Sequence, residues 1–262
     1  MAYVERDGAK IYWESVGEGP PLMMVAGLGG VATYWTPQME SFKKDYRVIV
    51  HDQRGTGRSS QIAVQSVEQM ADDAIAVMDA AGVDRTLYLG HSTGGAIGVA
   101  LALKHPERLA GLVINASTTH GDAYRHKLLG LRKTLLDLGQ PEAYASYTTL
   151  LLYPHWYINQ HYDRLIADEA RAVQSMGNAQ AQSSRLDAIL NFDPRTRLDQ
   201  LKVPTLVLCA RDDILTPLYF SEEYAARIPG AKLITLETGG HAASRTVTAQ
   251  YDQIVRSFFE SL

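Results

Sequence analysis

Apolar and polar residues alternate along Tyr3–Arg6 and again along Lys10–Val16, on either side of Asp7-Gly8. A period of two turns one set of side chains inward and the other to water, and Asp-Gly is a strong turn signal, so the spacing predicts a β-hairpin. Pro20-Pro21 then opens a continuous apolar run, Leu22–Ala26, that ends in Gly27-Leu28-Gly29-Gly30. Apolar residues at consecutive positions suit a strand buried on both faces, here one running into a tight loop. The polar segment Tyr34–Asp45 leads to a further strand, Arg47–Val50, followed by a second glycine-rich turn at Arg54-Gly55-Thr56-Gly57. Val67, Met70, Ala71, Ala74, Ile75 and Met78 recur at helical spacing. Ser66 and Gln69 read as a capping box at the start of that helix, and Gly82 ends it. Strand Thr86–Leu89, helix Gly94–Lys104 and strand Leu109–Asn115 follow. This alternation predicts an α/β fold, a mostly parallel sheet with helices on both faces.

The rhythm then breaks. Residues 118–198 contain no strand-like run, only helical patches such as His126–Leu138 and Tyr162–Met176 and an aromatic stretch, Tyr153–Tyr157. So long a segment would not stay structureless inside a compact domain, which makes it an expected helical lid inserted between core segments 1–117 and 199–262. Alternation resumes with strand Thr205–Ala210, helix Leu218–Ile228, strand Lys232–Glu237 and a final helix, Val247–Phe259.

Composition narrows the function classes. The 262 residues are 46% hydrophobic and 21% charged with a net charge of −4, an ordinary globular balance without the basic face that nucleic acid or an anionic membrane would require. The first residues mix charges and lack a signal-peptide pattern, and the apolar runs are strand-sized, so the expectation is a cytoplasmic protein acting on a small molecule. The single cysteine, Cys209, excludes a disulfide framework and is expected as a small buried hydrophobe in its strand. His120 with His126, and His155 with His161, lack both metal-ligand spacing and a third ligand nearby, so neither a metal nor a cofactor is expected.

The sharpest chemical motif is Gly90-His91-Ser92-Thr93-Gly94, which follows a strand and opens a helix. That is the context of a G-x-S-x-G nucleophile elbow, whose crowded backbone calls for glycine two positions before and after the serine. A serine hydroxyl needs a base and an orienting acid, and in this arrangement they follow in the order acid, then histidine, each after a later strand. Asp212-Asp213 follows strand Thr205–Ala210, and Gly239-Gly240-His241 follows strand Lys232–Glu237. Acyl transfer also needs two backbone donors for the oxyanion. One is the N–H of Thr93, after the nucleophile, and the other belongs to the Gly27–Gly30 loop.

Hairpin, elbow, insertion, acid and histidine in this order resemble the α/β-hydrolase family over the whole chain. The resemblance selects Asp213, four residues before Pro217, as the acid, and leaves Asp212 as a solvated or capping carboxylate. It assigns the second oxyanion donor to Leu28 and treats Arg54-Gly55-Thr56-Gly57-Arg58-Ser59 as an architectural turn. Within the family, several stretches resemble the aminoacrylate hydrolases of bacterial pyrimidine degradation. They are Gly27–Gly30 with Tyr34-Trp35 and Pro37-Gln38, Asp52–Gly57, Leu152-Tyr153-Pro154, and Gly239–Ala242. This implies hydrolysis of a small enamine or linear amide. The enol-lactone hydrolases are also similar, as are hydrolases of ring-fission products. An intact Ser92 points toward ester or lactone chemistry, and a small-ligand receptor on a hydrolase scaffold is the reading from another class. The pocket is expected between lid and strand ends, with Trp35, His120, Tyr153 and Trp156 (and Tyr157 beside them) lining it, and His91 packed against the core.

Overall fold

Alternate residues of each central strand enter two separate cores. On β3 (Pro21–Val25), Leu22 and Met24 face one core, and Met23 and Val25 the other. Val48 and Val50 of β4 (Arg47–His51) likewise oppose Ile49. Strands buried on both faces need cover on both, so a three-layer architecture follows from the apolar runs. The computed structural model describes residues 2–262, apart from the Ser175 side chain.

The hairpin strands β1 (Ala2–Arg6) and β2 (Ala9–Val16) join β5 (Thr86–His91), β6 (Leu109–Asn115), β7 (Thr205–Ala210) and β8 (Lys232–Leu236) in an eight-stranded sheet of order β1-β2-β4-β3-β5-β6-β7-β8. Only β2 opposes the common direction, pairing antiparallel with both neighbours, and the pairs from β4 to β8 are parallel. The α/β sheet expected from the sequence is therefore present. Helices α1 (Thr36–Phe42) and α11 (Thr248–Glu260) close one core through Phe42, Tyr251, Val255 and Phe258. On the other face lie α2 (Val67–Ala80), α3 (Thr93–Lys104) and α9 (Leu218–Arg227). The Ser66 side chain caps α2 by accepting the Gln69 N–H, and Gln69 returns a bond to the Gln65 N–H, one residue earlier than the usual box.

Two sequence expectations change. The polar segment 34–45 contains α1, started by Pro37 and held by Trp35, Met39 and Phe42 at four- and three-residue spacing. The expected final helix, Val247–Phe259, is α11 to within one residue, but a short helix the sequence did not announce, α10 (Ala243–Thr246), precedes it and breaks at Val247, whose φ of −129° and ψ of 46° lie outside the helical range.

Residues 118–198 carry five α-helices and no strand among the described residues: α4 (Ala123–Asp137), α5 (Pro141–Leu152), α6 (His155–Gln160), α7 (Tyr162–Ser175) and α8 (Ala179–Asn191). Helix α8 is tied to the loops at the strand ends. Ser184 accepts the Val64 N–H, Gln182 donates to the Gly55 carbonyl, and Arg185 is fully buried there. The 54–59 turn has the architectural role expected of it. Arg54 reaches Asp73 on α2 at 2.6 and 2.9 Å and the Arg6 carbonyl at 3.0 Å. Arg58 binds Asp52.

Candidate active site

Ser92 sits between β5 and α3 with φ of 55° and ψ of −118°, a conformation that L-residues avoid. Its surroundings hold it there. The Ser92 N–H donates to the Asn115 carbonyl at 2.8 Å, while its own carbonyl accepts from the Gly95 N–H and the Ser117 hydroxyl. A β-carbon at Gly90 would stand 2.3 Å from the Gly94 carbonyl oxygen, and one at Gly94 only 2.1 Å from that of Val25. Both glycines of the motif are therefore demanded by backbone contact.

Asp213 and His241 meet at the ends of β7 and β8. Asp213 Oδ1 accepts the N–H groups of Leu215 and Thr216 at 2.8 and 2.9 Å. Its Oδ2 accepts the Thr216 hydroxyl at 2.7 Å and lies 2.8 Å from His241 Nδ1. With the aspartate ionised, this contact assigns the proton to Nδ1 and leaves Nε2 as the basic nitrogen. Asp212 faces the other way, accepting from the Thr238 hydroxyl and the Gly239 and Gly240 N–H groups. It caps the loop that carries His241, within the role the sequence allowed it.

Ser92 and His241 open onto one cavity of about 730 Å³, bounded by strand-end loops on one side and by α4, α5 and α7 on the other. Leu28 and Thr93 line it too, and neither backbone N–H donates to a protein acceptor among the described residues. Arg185 fixes the first of these loops. Its guanidinium donates twice to the Leu28 carbonyl, at 3.0 and 3.2 Å, and to the Arg54 carbonyl and Gln53 Oε1. Burial without an acidic partner pushes its pKa down to about 10.

The four expected pocket residues divide. Tyr153 lines the cavity. Trp35 does not, because it is wholly buried in the core beneath, and its neighbour Tyr34 takes the wall position with its hydroxyl 2.8 Å from that of Ser244. His120 is turned away toward Glu223, Thr119 and the Phe220 ring. Trp156 lies outside the cavity, donating to the Thr238 hydroxyl at 3.0 Å, and Tyr157 packs between Tyr153 and Trp156. His91 is buried as expected, and it also walls the site. Asn115 Nδ2 donates to its Nδ1 at 2.9 Å, its ring stacks on Tyr34 at 4.8 Å, and burial holds it neutral, well below the usual imidazole range. Cys209 is buried on β7 and its thiol is pushed up by burial.

Among the lining residues not expected from the sequence are two buried cations, Arg125 and Arg132 on α4. Their signal is the seven-residue spacing, which places both on the helix face that carries the buried Leu128 and Leu129.

The sheet order, the strained serine between β5 and α3, and the acid and histidine at later strand ends define the class. The chain belongs to the α/β hydrolase fold family, whose sequence model matches residues 20–244, and it is a hydrolase. It is 37% identical to the "Putative carbamate hydrolase RutD" of Azorhizobium caulinodans, over 98% of each protein. Among solved structures, the enol-lactonase from Burkholderia xenovorans LB400 superposes with a TM-score of 0.91 at 23% identity, covering 99% of this chain and 100% of that one. Est816, described as an N-acyl homoserine lactone degrading enzyme, gives a TM-score of 0.84 at 27% identity over 98% of this chain and 100% of its own.

Proposed function

We propose that the protein hydrolyses a small carbonyl substrate through an acyl-enzyme on Ser92. The observation that carries this reading is the 2.8 Å contact of Asp213 with His241 at the cavity onto which the strained Ser92 opens. His241 Nε2 takes the proton of Ser92 as its Oγ bonds to the substrate carbonyl carbon. The N–H groups of Leu28 and Thr93 hold the resulting oxyanion, and a triad of this kind separates attack from hydrolysis. Collapse breaks the bond to the leaving group, which receives the proton from His241. Water then attacks the acyl-enzyme, with His241 as base, to release the acid and restore Ser92.

Helices α4 to α8 serve as the lid and enclose the substrate, a reading supported by the residues that α4, α5 and α7 contribute to the cavity wall. For the scissile bond we favour the C–N bond of a carbamate or linear amide, following the name carried by the relatives at 34–37% identity. The intact serine site favours an ester or lactone as the second reading. The test is labelling with a fluorophosphonate together with turnover of an ester, lactone and amide panel. Ser92→Ala should lose both. Labelling at Ser92 with no turnover would place the protein among small-ligand receptors instead, and unchanged turnover by Ser92→Ala would rule out the nucleophile.

A further inference from the structure

The cavity holds two buried cations that hydrolysis at Ser92 does not use. Arg125 and Arg132 are 4% and 5% exposed, yet both line the cavity onto which Ser92 and His241 open. No carboxylate forms an ion pair with either guanidinium among the described residues. Arg125 donates to the Leu215 carbonyl at 2.7 Å, and Arg132 donates to the Tyr144 hydroxyl at 2.7 Å with its guanidinium over that ring. The Nε groups of both are unpartnered. Burial pushes the Arg125 pKa down to about 10; the Asp213 and Asp122 carboxylates, neither in contact with the guanidinium, act against that shift and Arg132 adds to it. The acidic residues that line the same cavity, Glu40, Asp168 and Glu169, sit at its exposed or half-exposed rim, and Asp168 is already paired with Arg164 and Arg171.

A buried guanidinium without a carboxylate in contact is unfavourable, and two on one helix face are more so. Surface cations would have served solubility equally well. A substrate anion would supply the missing charge, because a planar fork of donors matches a carboxylate. We propose that Arg125 and Arg132 form an anion subsite for a carboxylate of the substrate other than its reacting group. The substrate class is then an ester, lactone or amide of an acid that carries a second, ionised carboxylate. This rests on the serine hydrolase reading and narrows it. In a free carbamate anion the only carboxylate is the reacting group, so this subsite favours the amide, ester or lactone over the carbamate: the anion anchors one end while a separate carbonyl is presented to Ser92.

Mono-4-nitrophenyl esters of succinic, glutaric and adipic acid should be compared with neutral 4-nitrophenyl butanoate, pentanoate and hexanoate. Ser92→Ala serves as the blank for spontaneous anhydride release. The best anionic ester should exceed its neutral partner in kcat/KM by at least about tenfold, the scale of a charged hydrogen bond. Arg132→Gln should collapse that ratio toward one, chiefly through KM, and Arg132→Lys should restore part of it. Arg125 also holds the Leu215 carbonyl beside Asp213, so Arg125→Gln is read only through the same ratio.

A second measurement needs no turnover. Glutarate at millimolar concentration should raise the melting temperature of Ser92→Ala, and should not raise that of the Ser92→Ala, Arg132→Gln double variant. Turnover of neutral and anionic esters at equal efficiency, with no glutarate shift, overturns the subsite and leaves the serine reading standing. Absent ester turnover and absent Ser92 labelling overturn the serine reading. A glutarate shift that depends on Arg132 would still support the subsite in that case.

Discussion

Asp212 Oδ1 accepts the N–H of Gly240 at 2.8 Å, so the residue beside the proposed acid, Asp213, holds the loop beside the proposed base, His241. Its partner Oδ2 takes the Thr238 hydroxyl at 2.6 Å. Two consecutive carboxylates thus divide one task, with Asp212 gripping the backbone of the 238–240 loop and Asp213 gripping the His241 ring. Gly239 and Gly240 have φ of 143° and 63°, values that leave the loop dependent on such external bonds.

The division predicts different outcomes for the two aspartates. Asp213→Asn should lower kcat by on the order of 10³–10⁴-fold with little change in melting temperature, because the amide favours the wrong imidazole tautomer. Asp212→Ala frees the loop but leaves the ring contact, and a partly exposed group of this kind contributes about 1 kcal/mol. Its activity loss should be nearer tenfold and should lessen on cooling. Equal losses in the two variants would contradict the division.

Ser92 is the most strained backbone position in the candidate site, and strain of this kind costs about 1–3 kcal/mol. Glycine adopts positive φ freely, so Ser92→Gly should raise the melting temperature by roughly 2–4 °C while removing the proposed nucleophile. Gly94→Ala should do the reverse. Its methyl would press on the Val25 carbonyl oxygen, an atom of a central strand that cannot move aside, and the protein should fail to accumulate in folded form. Thermal melts of the two variants beside the parent check both signs.

Ser92 and His241 were legible as candidates because local chemistry marks them, while the choice of Asp213 over Asp212 rested on the resemblance to the α/β-hydrolase family. Gly90 and Gly94 are forced by backbone contact around Ser92, Asp213 lies four residues before Pro217, and His241 follows two glycines at a strand end. The pocket walls were less legible, since they depend on which way a side chain turns. Trp35 and Tyr34 are adjacent and aromatic, but one residue of rotation sends Trp35 into the core and Tyr34 to the cavity. His120 and Trp156 were drawn off by Glu223 and Thr238, partners 103 and 82 residues further along the chain respectively. Arginines in a helix usually read as solvated, so Arg125 and Arg132 could be recognised only once α4 was seen to face inward. Helix α1 was hidden because the buried Gln38, bonded to the Ser244 carbonyl and Asp252, makes its core face look polar.

Arg185 joins the inserted helices to the candidate oxyanion loop, and its removal should be felt at both. Without it the Leu28 and Arg54 carbonyls and Gln53 Oε1 lose a buried donor together, a loss of about 2–4 kcal/mol. Arg185→Met should therefore unfold at lower denaturant concentration and lose kcat with KM little changed, because the Leu28 loop no longer holds one orientation. Arg185→Lys lacks the planar fork that makes four hydrogen bonds to these three acceptors, and should fall between the parent and Arg185→Met. Recovery of kcat in Arg185→Ala on adding guanidinium ion would tie the effect to the donors and not to packing.

His51, at the end of β4, is 2% exposed with Nδ1 unpartnered, and burial lowers its pKa to about 4 against a usual 6.5. The unfolded chain binds a proton at this position as pH falls below 6.5, while the folded chain does not until about pH 4. The stability associated with a neutral His51 is complete above pH 6.5 and declines through that window by about 3 kcal/mol. His91 is lowered for the same reason and steepens the decline. His51→Gln cannot take up a proton, so its unfolding free energy should fall less between pH 6.5 and 4 than that of the parent. Urea titrations at half-unit pH steps across this range measure the difference, and parallel curves for the two proteins would mean that His51 already carries its proton in the fold.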